Sequence, residues 1–131
     1  MSRKIEYRVW DNKNKSYSDP YRYTYYALTQ DGELDFYLHG DHNGNADPDV
    51  YLIEQYTGLR DKNGKKIYEG DIVKVLGSYS SVYQCDSGEW VLPYFYKDDD
   101  PISSLIFHCD KGQVEIVGNI HENRELLGRK K

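Results

Sequence analysis

The chain has 131 residues, a formal net charge of −5, a hydrophobic share of 38% and 14 tyrosines. That length fits one domain, or one domain with a small subdomain, and is enough to bury a real core. The acidic balance runs against a general nucleic-acid coat, whose affinity comes mostly from neutralising phosphates, but it leaves room for a local basic patch.

Tyrosine-rich chains favour β structure, because aromatic and β-branched side chains suit a pleated, half-buried surface. In chain order, Ile5, Tyr7 and Val9 alternate with Glu6 and Arg8, the two-residue period of a half-buried strand. Asp11-Asn12-Lys13-Asn14-Lys15 reads as a turn. Tyr21, Tyr23 and Tyr25 share one face of a second strand, and Leu34, Phe36 and Leu38 share one face of a third. Residues 40–49 are rich in Asp, Asn and Gly and read as a loop. Val50–Tyr56 reads as a strand, with a helix as the alternative.

Asn63-Gly64 is a hairpin signal, because both central positions of such a turn tolerate positive φ. Ile67-Tyr68 and Ile72–Leu76 flank a second turn at Glu69-Gly70-Asp71. Further strands are expected at Ser81–Cys85, in the aromatic run Trp90–Tyr96, at Ile102–His108 and at Gln113–Val117. The turns between them fall at Asp86-Ser87-Gly88, Lys97–Pro101 and Asp110-Lys111-Gly112. Glu122–Leu127 is expected to form a short helix capped by Asn119 or Asn123. Short strands at this spacing predict an all-β barrel or sandwich-like arrangement.

Three segments together resemble the YopX-like proteins of phages and prophages: Ile5–Asp11, Gln55–Val73 and Val117–Asn123 with Leu126-Leu127. The central one, containing Tyr56-Thr57-Gly58-Leu59-Arg60-Asp61 and Tyr68-Glu69-Gly70-Asp71-Ile72-Val73, is the most specific. Where that family usually has proline after the last asparagine, this chain has Arg124. The resemblance implies a mainly β, β-rich α+β fold: a small SH3-like or Sm-like barrel with additional strands and a short C-terminal helix. On this basis residues 1–131 form a single domain, with an N-terminal β subdomain at 1–50 and a barrel-like part at 51–127. The resemblance also implies homo-oligomers, and it brings no established catalytic residues. By analogy, a Gly-Asp turn leading into an aliphatic strand also occurs in SH3-like barrels.

Each suggestive cluster has a plain alternative. Asp41–Asp49 has clustered oxygens like a calcium loop, but an EF-hand would need Gly at Ala46 and Glu at Leu52, so a solvated loop is the expectation. His39, His42 and His108 with Cys109 could hold zinc only if the fold gathered them. His108 beside Cys109 suggests a thiol nucleophile and its base, yet neighbours on a strand point to opposite faces. Asp98-Asp99-Asp100 reads as a solvated run.

Tyr21, Tyr23, Tyr25 and Trp90, with Arg22, Lys97 and the Arg60–Lys66 cluster, could stack and pair with single-stranded nucleic acid. Core filling or a subunit interface is the expected use of these aromatics. Cys85 and Cys109 are the only cysteines, and neither a secretory leader nor a long apolar stretch is read from the chain. No catalytic residue, cofactor or metal ligand is therefore assigned. The expectation is a cytoplasmic, non-enzymatic accessory protein that associates with itself and with a host or phage macromolecule. A nucleic-acid-binding regulator and a metal-dependent enzyme are the alternatives.

Overall fold

The computed structural model describes residues 6–17, 24–28, 34–38, 41–45, 47, 49–93 and 104–127. The fold is mainly β, as expected, with one short α-helix among the described residues. Two compact units divide it: Tyr7–Glu54 form one, and Met1–Glu6 with Gln55–Lys131 form the other.

In the first unit, β1 (Tyr7–Asp11) and β2 (Ser16–Tyr17) make a hairpin in which Trp10 pairs with Tyr17 and Asp11 with Ser16. Asp11 builds the turn: its Oδ1 accepts the N–H groups of Lys13 and Asn14, and its Oδ2 accepts the Asn14 side-chain amide. A long strand, β6 (Tyr51–Arg60), lies beside β1 and carries the chain across the boundary between the units. Val9 is buried against Tyr7, Tyr51 and Ile53, the face that the alternation of β1 predicts.

β3 (Thr24–Leu28), β4 (Leu34–Leu38) and β5 (Asp41–Asn45) form an antiparallel meander. The strand expected at Leu34–Leu38 is therefore present. Of the strand expected to carry Tyr21, Tyr23 and Tyr25, Tyr25 falls on β3, and residues 21–23 lie outside the described residues. The loop expected over residues 40–49 is corrected, because five of those residues pair with β4 as a strand. Polar composition hid it: backbone pairing along a neighbour needs no apolar alternation, whereas a sequence reading relies on that alternation.

In the second unit, the Asn63-Gly64 hairpin joins β6 to β7 (Lys66–Tyr68), pairing Arg60 with Lys66. β8 (Asp71–Val75) lies between β9 (Ser78–Ser81) and β12 (Val114–Asn119), both antiparallel to it. As the central strand β8 is buried on both faces: Val73 and Val75 join the main core, and Ile72 on the other side is also inaccessible. That core also contains Ile67, Val82, Leu92, Leu105 and Val114, with Leu59, Trp90, Cys109 and Ile116 packed against it. Fully burying one such aliphatic side chain stabilises the fold by about 1.5–3 kcal/mol. β10 (Tyr83–Gln84) and β11 (Trp90–Val91) form a small hairpin around Gly88. In the aromatic run expected at Trp90–Tyr96, Trp90 and Val91 are strand, and residues 94–103 lie outside the described residues.

The strand expected over Ile102–His108 is corrected to a helix, α1 (Leu105–Asp110). Ser104 caps it by accepting the Phe107 N–H, and Leu105 and His108, three apart, are the two buried residues. Gly112, with φ of 65°, ends it while donating to the Cys109 carbonyl, so the Asp110-Lys111-Gly112 turn is a helix stop and not a hairpin. Apolar and aromatic residues gave this segment a strand-like composition, and tertiary packing overrode it. The short C-terminal helix expected over Glu122–Leu127 is a 3-10 turn at Arg124–Leu126. Asn123 stands at its N-cap position without a side-chain cap bond there, while Asn119 Oδ1 accepts the N–H groups of His121 and Glu122.

Leu76, read as the end of a strand, instead turns the chain between β8 and β9 with φ of 51°, next to Gly77 at 82°. A left-handed backbone strains a leucine, and this one is 67% exposed. Leu76→Asn is expected to raise stability by about 0.5–1 kcal/mol, because Asn tolerates that conformation and no buried contact is lost. A urea-denaturation midpoint that rises without a change in slope is the expected result.

Candidate functional site

The central and closing segments that carry the family resemblance lie in the second unit, with Glu6 of the opening one. Asp61 lies in the central one. Its side chain is buried, its Oδ1 accepts the N–H groups of Asn63 and Lys65, and its Oδ2 accepts that of Ile116 on β12, at 2.9–3.1 Å. The main chain adds Gly64 N–H to the Asp61 carbonyl, and Lys62 N–H to the Val114 carbonyl. One carboxylate thus shapes the hairpin and fastens it to β12.

Gly70-Asp71 forms a second knot. The Asp71 carboxylate, also buried, accepts the Tyr68 N–H at 2.8 Å. Gly70, with φ of 86°, donates to the Val82 carbonyl and accepts from Ile120. The closing segment docks here, since Asn119 pairs with Asp71 across β12 and β8. Asn123 Oδ1 takes the Asn119 N–H at 3.1 Å and lies against Gly118, where any Cβ would collide with it. From the opening segment, Glu6 accepts the Tyr56 N–H through its carbonyl and the Lys66 ammonium through its carboxylate at 2.6 Å. That pairing holds the Lys66 pKa above its usual value.

In the first unit, Glu54 is buried and accepts both the Arg8 Nε–H and the Tyr17 hydroxyl at 2.8 Å. The Arg8 guanidinium stacks on the Tyr17 ring, and Trp10 meets that ring edge-on. Sequence reasoning read Glu54 only as part of the Val50–Tyr56 strand and missed this group. The only signal available was its position, flanked by apolar Ile53 in a strand beside Arg8.

Several of the basic and aromatic residues considered from sequence as a stacking surface have partners within the fold. Trp90 packs against the main core. Arg60 donates to the Gly64 carbonyl, Lys62 pairs with Glu115 at 2.8 Å, and Lys66 is held by Glu6. The Lys62 ammonium keeps the Glu115 carboxyl below its usual range. Tyr21, Arg22, Tyr23 and Lys97, with Asp98, Asp99 and Asp100, lie outside the described residues, and Tyr25 lies on β3.

His42 falls on β5 and His39 lies outside the described residues. Asp47 Oδ1 caps its own turn by accepting the Asp49 N–H. Among the described residues, no three His, Cys, Asp or Glu side chains are placed to share a metal ion. His108 is buried, with Nδ1 3.0 Å from Gln113 Oε1. It is a helical neighbour of Cys109, so the strand argument for their separation does not apply. Burial, with help from the Asp110 and Asp61 carboxylates, pushes the Cys109 thiol up to about 11, which keeps it protonated at neutral pH. Cys85 differs: the Ser87 hydroxyl 3.1 Å away and the Ser87 backbone lower its pKa.

Against this geometry, the chain matches the family model described as YopX protein over residues 6–128, and it belongs to that family. Among solved structures, protein EF1440 from Enterococcus faecalis is 27% identical with a TM-score of 0.61, covering 96% of this chain and 99% of that one. Protein yopX from Bacillus subtilis is 21% identical with a TM-score of 0.63, covering 92% and 96%, and shares the fold. No curated protein matches. Among the described residues, no helix is long and apolar enough to cross a membrane.

Asp61→Ala leaves three backbone N–H groups without their acceptor and is expected to cost about 3 kcal/mol or more, while Gly118→Ala costs over about 1 kcal/mol, both read by urea denaturation. Alkylation at pH 7.5 followed by peptide mass mapping should modify Cys85 well before Cys109, because only the former has a lowered pKa. Equal rates would contradict that assignment.

Proposed function

We propose that the chain acts without catalysis, as a phage or prophage accessory protein in the host cytoplasm that assembles with copies of itself and with a host or phage macromolecule. The observation that carries this reading is on α1. Leu105 and His108 face inward and are fully buried, while Ile106 and Phe107 between them are 51% and 40% exposed. Two adjacent large apolar side chains held outward on a short, firmly seated helix suit a contact with another subunit. Lys111 reaches over the Phe107 ring at 4.9 Å, a polar rim to that patch.

The side chains a catalytic reading would need support the same view. Asp61, Asp71, Asn119 and Asn123 already hold backbone N–H groups. Cys85 and Cys109 are unbridged, which fits a reducing compartment. The test is size-exclusion chromatography with light scattering at micromolar concentration. The natural chain should run as a multimer. Ile106→Ser with Phe107→Ser should shift it to a folded monomer, its circular dichroism spectrum unchanged and its stability no longer dependent on protein concentration. A strictly monomeric natural chain would defeat the self-association reading.

A further inference from the structure

We propose that Asn63 is a site of spontaneous covalent modification, by deamidation through Gly64, and that the folded turn restrains the reaction. Both residues are exposed, and the Asn63 side chain makes no hydrogen bond to another described residue. Gly64 has no Cβ to shield its amide nitrogen, and nothing lies within 4 Å of where a Cβ would stand. These are the conditions for ring closure.

In that reaction the Gly64 nitrogen attacks Cγ of Asn63. The new N–Cγ bond replaces the Cγ–Nδ2 bond, and ammonia leaves with the proton given up by the Gly64 amide. Water then opens the cyclic imide at either carbonyl, giving aspartate or isoaspartate at position 63. No oxidant, reductant or metal takes part.

The fold opposes the first step. The Gly64 N–H must be lost for its nitrogen to attack, yet it donates to the Asp61 carbonyl at 3.0 Å. Asp61 Oδ1 holds the amides on either side of it, Asn63 N–H and Lys65 N–H. Reaction therefore proceeds from turns that have opened locally, and its rate is scaled down by the opening equilibrium. The fold also makes the product consequential. Isoaspartate inserts a methylene into the main chain between the two amides that one carboxylate oxygen holds. Both bonds cannot then be restored in register, and the tie from Asp61 to β12 weakens. Either product also adds a negative charge beside Asp61.

The test uses the full chain, incubated at pH 8 either folded or in concentrated urea, with isoaspartate located by peptide mapping. The second Asn-Gly pair, Asn43-Gly44, serves as an internal reference. Asn63 should convert in both samples, about tenfold or more slowly when folded, which corresponds to an opening cost near 1.4 kcal/mol or above. Asn63→Gln should give no product in that peptide. The isoaspartate-bearing fraction should unfold at lower urea than the unmodified one. Equal rates in the two samples, or no conversion in urea, would overturn the proposal, and an unchanged midpoint would overturn its structural half.

Discussion

Asp61 is a buried carboxylate surrounded by donors, and the second unit is organised around that fact. Taking a carboxylate out of water is costly unless hydrogen bonds replace the lost hydration. Here backbone N–H groups of Asn63 and Lys65 in the hairpin and Ile116 on β12 do so. The same bonds fix the turn and set the strand that carries Val114 and Ile116 into the core. Because each bond is local to the backbone, no other side chain of similar size could serve. Asparagine would present one acceptor oxygen where two are used.

The Gly70-Asp71 turn repeats the device with a different geometry. Gly70 supplies the left-handed backbone, Asp71 caps Tyr68, and Ile120 closes over the carbonyl of Gly70. Gly118 answers a separate need, the close approach of the Asn123 side chain. The central and closing segments that mark the family are thus the ones that tie the second unit together. Family resemblance and fold share a cause, and that cause is backbone hydrogen bonding. The outward face of α1 has no part in these ties, which is why the association reading rests there.

How much was legible varied with the kind of signal. The Tyr7–Asp11, Leu34–Leu38 and Asp71–Val75 strands were readable because apolar alternation or a β-branched run marks them. Gly64 and Gly70 were readable because few residues other than glycine tolerate their left-handed backbone conformations. β5 was not readable, since Asp41–Asn45 carries no such pattern and is revealed by its backbone register with β4. α1 was misread because Leu105, Ile106 and Phe107 suit either structure, and the contest was decided by a Ser104 cap and by core contacts distant in sequence. The Glu54 group was hidden for a related reason: Arg8 and Glu54 are 46 residues apart.

The amino-acid sequence by itself determined the β-rich class, the positions of the glycine turns and the family, because those follow from local backbone preference and from short motifs. Tertiary structure alone decided which polar side chains are buried and which apolar ones are left out. Asp61, Asp71 and Glu54 went in because donors wait for them there. Ile106 and Phe107 stayed outside because Leu105 and His108 filled the only inward side of a helix six residues long.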